Sequence, residues 1–468
     1  MQTLEKSFLK SLAKILAPDN LLTTEADCWP YGYDNSRRHG LPQAVALPIA
    51  HEQVVAIVRL CNQYRVTMIP RGRGTGTTGA SVPLDGGLVV SMERMTRIIE
   101  LNSDDRYMVV EAGVLNKQVQ DRAGEKGFFW APDPTSAAFC SVGGNLAYNS
   151  AGPRAVKYGT PRENVLGLRV VLANGEEMRT GVYTTKGVVG YDFTRLLIGS
   201  EGTLAFITEA TLKLLPQAEA RRTLQLTFKD IRHAAKAVAS IMAQPVTPCA
   251  LEFIDGKAIE MIRSYSDADL PQDAGALLMV EVDGTEVTLD HAVSCIEQAA
   301  KNDGLLQFRA AKSTEEVAQL WATRKALSPA LRTIAPKKIN EDVVVPVSNL
   351  PELVEGLENL SAQHQIIIVN FGHAGNGNIH VNLLVDPDDA EQMQRADVCL
   401  RQVFELVLSL NGTLSGEHGV GMEKQNFVSM ELDTVNLSMM QQVKQLFDPL
   451  NLMNPGKMFI PPREDTSN

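Results

Sequence analysis

Leu4, Phe8, Leu12 and Leu16 recur at the spacing of one helical face, with Lys6, Lys10 and Lys14 elsewhere. Glu5, the lack of arginine and the stop at "APDN" predict a native first helix rather than a transit peptide. The stretch "AVALPIAHEQVVAIVRLCNQYRVTMIPRG" then predicts strand, helix and strand, because Val54, Ile57 and Leu60 carry a helical period ahead of a short β-rich run. A glycine-rich turn follows. From there to about residue 216, short β-rich runs such as "YMVVEAGV" and "LAFITEATLKLLP" alternate with Gly, Pro and Asn turns, a mixed α+β pattern rather than a regular βαβ array. The pattern restarts at "LPQAEARRTLQLTF". Beyond it, amphipathic helices ("IRHAAKAVASIMAQ") alternate with strands ("ALLMVEVDG", "QIIIVNF", "IHVNLLV"), which predicts an antiparallel sheet carrying helices on one face. Helices dominate from about residue 387.

The length of 468 residues exceeds what one core comfortably fills, so two or three domains are expected. A net charge of −11 and a pI near 5.4 exclude the clustered basic surface of a nucleic-acid binder. No apolar run reaches the roughly 18 residues of a membrane span, which leaves membrane association at most peripheral. The six cysteines form no CxxC pair and read as buried, reduced thiols of a cytoplasmic protein.

In "PRGRGTGTTGAS", Gly74, Gly76 and Gly79 have the G-x-G-x-x-G spacing, yet no helix follows, so this is not a Rossmann fingerprint. No Lys-Ser or Lys-Thr follows either, which excludes a Walker loop. What remains is an anion nest of backbone N–H groups without Cβ obstruction, suited to a pyrophosphate, against the plain alternative of a glycine-rich hairpin. A second small-residue segment, "PDPTSAAFCSVGGNLAYNSAGPRAVKYGT", suggests the other wall of one cleft.

Taken in order, "PRGRGTGTTG", "PDPTS", "GGNLAYNSAG", "KYG" and "GSEGTLAFITEATLKLLP" resemble the FAD-binding domain of the vanillyl-alcohol-oxidase and p-cresol-methylhydroxylase (PCMH) flavoproteins. The resemblance implies that Arg71, Gly72, Arg73, Gly74, Thr75 and Gly76 wrap the FAD pyrophosphate. It likewise implies that Pro134, Thr135, Ser136, Gly143, Gly144 and Asn145 line the flavin, with Gly202 and Ile207 at the nucleotide end. The first loop has no histidine, so the FAD is expected to be non-covalent, and Cys140 reads as a buried thiol.

"NFGHAGNGNIHVNLLV" predicts a hairpin whose second strand places His380 and Asn382 on one face. Two imidazoles, His373 and His380, leave metal ligands and satisfied loop histidines both open. In "NGTLSGEHGVGMEK", Glu417 and His418 sit between glycines; with the two histidines, Glu417 makes a His, His, carboxylate set of the open-site type, against the plain alternative of a polar helix start. The pair "GHAGNGNIHVN" and "GEHGVG" is similar to the FAD-linked D-2-hydroxyacid dehydrogenases, over about residues 28 to 462. That resemblance implies His373, His380 and Glu417 as ligands of zinc or manganese, Asn382 as a substrate contact and His418 as the catalytic base. Arg324, Ser328 and Lys338 are the candidates for binding the substrate carboxylates.

The expected organisation is an N-terminal helix (1–27), a PCMH-type FAD domain of two α/β subdomains (28–216), an antiparallel-sheet cap (217–410) and a helical C-terminal segment (411–468). The expected reaction is oxidation of a D-2-hydroxyacid, D-lactate or D-2-hydroxyglutarate favoured, with electrons passed to a protein or quinone acceptor. A homodimer is compatible with this reading. The alternatives are the FAD subunit of a glycolate-oxidase-type complex and a flavin transferase similar to alkylglycerone-phosphate synthase.

Overall fold

The computed structural model describes residues 4–265, 272–331 and 335–459. The chain forms two compact units. One comprises Met1–Gly152, Gly159–Gln217 and Glu417–Asn468, and the other comprises Pro153–Tyr158 and Ala218–Gly416.

Among the described residues, the first unit contains two larger sheets with separate cores and a two-stranded ladder, Phe128–Phe129 with Leu215–Pro216. In one, strands Ala44–Ala46, Leu88–Ser91 and Met68–Arg71 run parallel, with Leu21–Leu22 antiparallel at the edge. Helix Lys6–Ile15 buries Phe8 and Leu12 in this core alongside Val54, Ile57 and Val58 of helix His51–Tyr64, as the apolar periods predict. The second sheet is antiparallel, in the order Ile98–Asn102, Tyr107–Glu111, Ala205–Lys213, Val165–Leu172, Glu177–Gly181. Its core gathers Trp130, Val142, Leu146, Val170 and Leu212. The C-terminal piece returns to the first sheet, where Met68 N–H donates to Leu452 O and Asn454 N–H donates to Met68 O.

The second unit is built on a seven-stranded antiparallel sheet, ordered Leu305–Ala310, Ala220–Phe228, Ala276–Gly284, Ala250–Asp255, Ile367–Gly372, Asn378–Val385, Lys337–Val344. Helices Gly256–Tyr265 and Thr314–Leu331 cover the face that carries Ile254, Leu277 and Val369. Residues of the opposite face, such as Phe253 and Leu278, are equally buried. This corrects the expectation of a sheet covered on one face: continuous apolar runs such as "ALLMV" and "IIIV" signal burial on both sides, where alternation would signal one. Pro153–Tyr158 belongs to this unit although its neighbours in sequence do not, and Lys157 Nζ and Tyr158 Oη both donate to the Asp283 carboxylate. Among the described residues, no helix is long and apolar enough to cross a membrane.

Candidate active site

In the first unit, Arg71 ends its strand and residues 72–87 run on without a helix, which leaves Gly72 to Gly76 as irregular, half-buried backbone. Gly74 takes φ +66, and a Cβ there would lie 2.2 Å from the Arg71 guanidinium. Arg71 itself is buried beneath the loop, within 3.4 Å of Pro30 O and Ser81 Oγ and over the Tyr31 ring. It braces the loop from below, and burial pulls its pKa down. Asn35 pins the turn from outside, donating from its backbone to Gly76 O and from its side chain to Thr75 O.

The two glycine segments meet. A Cβ on Gly72 would lie 2.6 Å from Ser141 Oγ, and one on Gly76 would lie 2.5 Å from Tyr148 Oη. Ser141 caps the helix Val142–Tyr148 that carries Gly143, Gly144 and Asn145, while Pro134, Thr135 and Ser136 form the turn before it. The Asn145 amide oxygen is taken up inside, accepting from Asn116 Nδ2. Cys140 is buried against Asn145, and burial pushes its thiol pKa up. Gly202, at φ +69, packs on Pro70, and Ile207 lies in the strand Ala205–Lys213 opposite Val170. Thr77 Oγ1 is a buried hydroxyl with no hydrogen-bond partner. Half-buried glycine backbone, crowded against any Cβ and adjoining an unsatisfied hydroxyl, fits a phosphate-bearing cofactor such as FAD.

Glu417 and His418 lie in the C-terminal piece of the same unit. Glu417 Oε2 accepts the Gly152 N–H at 2.8 Å, and His418 O accepts from Thr78 Oγ1 at 3.3 Å. Gly152 therefore links the second glycine segment to the Glu417 carboxylate, a connection that the sequence motif "YNSAG" does not advertise. Glu201, from "GSEGTL", is buried and accepts the N–H groups of Val420 and Gly421 at 2.6 and 2.7 Å. Burial pushes its carboxyl up to about 7, with those N–H groups, Lys424 and Lys457 pulling the other way. Asn454 Nδ2 donates to Ala80 O and Glu201 O, and the buried Lys457 Nζ donates to Val82 O.

In the second unit the predicted hairpin is formed by Ile367–Gly372 and Asn378–Val385. Gly377 closes its turn at φ +73, where a Cβ would strike Val345 O. The His373 and His380 rings stand edge to face, 5.3 Å apart. His373 Nδ1 donates to Glu252 Oε1 at 2.5 Å, which holds the ring from its Nδ1 side. Asp255, three residues on, accepts the N–H groups of Ala258 and Asn370, bracing the strand that delivers His373; burial pushes its carboxyl up to about 6.

Strand register pairs Asp342 with His380, Asn340 with Asn382 and Lys338 with Leu384, so Lys338, Asn340 and Asp342 share the face of His380 and Asn382. Asn382 is fully buried: its amide donates to Val369 O and His380 O and accepts from Asn340. Asp342 accepts from Ser415 Oγ and from Gly416 N–H. Glu417, the next residue, opens the C-terminal piece of the first unit. Within the second unit, the paired imidazoles of His373 and His380 are of the ligand type that suits a divalent ion. Arg324 and Ser328 fall in helix Thr314–Leu331, and their side chains lie outside the described residues.

Glu201, Glu252, Asp255, Gly152 and Asn340 were absent from the sequence-derived site. The signal for the acids was available: "LEFID" puts two carboxylates into an apolar strand, and a buried charge requires a partner.

A family model described as an FAD binding domain matches residues 42–181, and one for the C-terminal domain of FAD linked oxidases matches residues 217–458. The chain is 36% identical to the glycolate oxidase subunit GlcD of Bacillus subtilis, over 97% of each protein. It is 33% identical to a mitochondrial D-lactate dehydrogenase [cytochrome] of Arabidopsis thaliana, over 97% of this chain and 80% of that one. With a D-2-hydroxyglutarate dehydrogenase of Stutzerimonas stutzeri the identity is 32%, over 97% and 99%. Among solved structures, p-cresol methylhydroxylase superposes with a TM-score of 0.76 at 16% identity, over 97% of this chain and 96% of that one, a likeness of fold. The chain therefore belongs to the FAD-linked oxidases, flavin-dependent oxidoreductases built on the PCMH-type fold.

Proposed function

We propose that the protein oxidises a D-2-hydroxyacid to the 2-oxoacid, using FAD together with a divalent metal, zinc or manganese, held by His373, His380 and Glu417. The observation that carries this reading is the edge-to-face pair of His373 and His380, 5.3 Å apart, with Glu252 orienting His373; within the first unit, Gly152 orients Glu417. The names of the relatives, which include glycolate, D-lactate and D-2-hydroxyglutarate enzymes, support the substrate class. FAD held by the glycine loops would supply a hydride acceptor for C2, and a metal held by His373, His380 and Glu417 would supply acidity to the C2 hydroxyl.

The remaining work belongs to the chain. His418, sequential with Glu417, accepts the hydroxyl proton. Glu252 keeps a proton on His373 Nδ1, so that Nε2 stays available as a ligand. Lys338, with Arg324 and Ser328, supplies charge and hydrogen bonds for the substrate carboxylates. Asn382 braces the strand pair, and its Oδ1 keeps a second lone pair for substrate beside the bond it accepts from Asn340.

The GlcD name of one relative favours a second assembly, in which the same catalytic chain works as a subunit of a larger complex. Purified His380→Ala tests the metal proposal: it is expected to lose the bound metal while keeping its flavin absorbance. A variant that keeps metal at wild-type stoichiometry overturns the ligand set.

A further inference from the structure

We infer that Glu201 is a positioning residue for this reaction: its buried carboxylate holds the backbone of the 417–421 segment, and through it the metal-binding and proton-accepting side chains. The inference rests on the reading above for the roles of Glu417 and His418, while its geometry stands independently. Each carboxylate oxygen accepts one backbone N–H, from Val420 and from Gly421. The contact shapes the sequence around it. Gly419 takes φ +80, and a Cβ there would lie 2.5 Å from Glu201 Oε1; Gly421 takes φ +50, and a Cβ there would lie 2.2 Å from Thr78 O. Neither position admits a side chain while Glu201 and Thr78 stay in place.

Thr78 works from the other side, donating its hydroxyl to His418 O and accepting the Met422 N–H at its carbonyl. The segment from 417 to 422 is thus tied at Gly152, at Thr78 and at Glu201, and Thr78 belongs to the glycine loop assigned to FAD. Glu201 is itself held: its N–H donates to Ala147 O, and its carbonyl accepts from Asn454. A buried carboxylate is a costly way to satisfy two N–H groups. Only a carboxylate, however, offers both oxygens as acceptors with no N–H or O–H to misplace. In Glu201→Gln the amide nitrogen faces one of the two N–H donors, so one bond is replaced by a donor–donor clash.

The test compares wild-type, Glu201→Gln and Glu201→Asp holoenzymes at pH 8, by hydrogen exchange of peptides covering 417–424 and by steady-state kinetics. The expected result is exchange about tenfold or more faster in that segment alone, unchanged flavin absorbance, and kcat lowered about 10- to 100-fold, the range seen when a residue supporting a ligand is removed. Wild-type exchange in Glu201→Gln overturns the anchoring, and faster exchange with unchanged kcat overturns the positioning role. Should the Gln variant fail to fold, Gly419→Ala pushes the segment off an intact carboxylate and is expected to give the same exchange signature; wild-type exchange there overturns the inference. Because exchange needs neither substrate nor metal, it is read even if no hydroxyacid is oxidised, and that failure falls on the functional reading alone.

Discussion

The glycine loops of the first unit and the histidine hairpin of the second reach functional geometry by opposite means. In the loops, what matters is missing: Gly72, Gly74 and Gly76 leave backbone bare, and each is closed to a Cβ by Ser141, Arg71 or Tyr148. In the hairpin, what matters is present: His373 and His380 are buried side chains, and buried acids about 120 residues earlier in the chain support them, Glu252 holding the His373 ring and Asp255 the backbone of Asn370. A backbone cradle tolerates almost any ligand of the right charge and width. A ligand set of imidazoles demands defined tautomers and distances, and therefore a second layer of residues. The loops should break when atoms are added, and the hairpin when atoms are removed.

The largest effect is expected at Gly74→Val. A β-branched residue at φ +66 is strained, and its Cβ would displace the Arg71 guanidinium. The purified variant should lack flavin absorbance while its far-ultraviolet circular dichroism stays close to wild type; full flavin content would show that the loop is not the cradle. A removal of comparable precision in the hairpin, Glu252→Gln, should leave flavin in place and weaken metal affinity by about 10- to 100-fold, measured by competition with a chromogenic chelator.

The smallest effect is a pH slope. Between about 4.5 and 7 the native state keeps a proton on Glu201 that the unfolded chain has released, so this carboxyl lowers stability as pH rises through that window. Glu201→Gln should flatten that part of the stability profile, followed by the denaturant midpoint at constant slope. An unchanged profile would show that Glu201 does not titrate there.

Local features were legible in the sequence for a simple reason: their causes lie within a few residues. The period of Phe8 and Leu12, the strand, helix and strand around His51–Tyr64, and the hairpin at 367–385 are written in neighbouring side chains. The absence of a helix after "GTGTTG" was equally visible from Pro83 and the Asp85-Gly86-Gly87 turn. Partnerships across long separations were not. Nothing local to "LEFID" announces that Glu252 meets His373, and nothing in "GSEGTL" announces that Glu201 seats the backbone of Val420. Strand order hid Asn340 and Asp342 in the same way, because the register that sets them beside Asn382 and His380 is a property of the folded sheet. The burial of Asn382, whose amide is spent on its neighbours, likewise follows from that register rather than from its place in the motif.

The central claim is that this chain moves a hydride from a D-2-hydroxyacid to flavin with a metal in the His373, His380 and Glu417 site. It is tested most directly by anaerobic mixing of the holoenzyme with D-lactate, D-2-hydroxyglutarate, D-malate and glycolate, following flavin absorbance before and after chelation of the metal. Bleaching by at least one of these acids is expected, slowed about 100-fold or more once the metal is removed. No bleaching by any of them with metal present, or bleaching at the same rate without it, would contradict it.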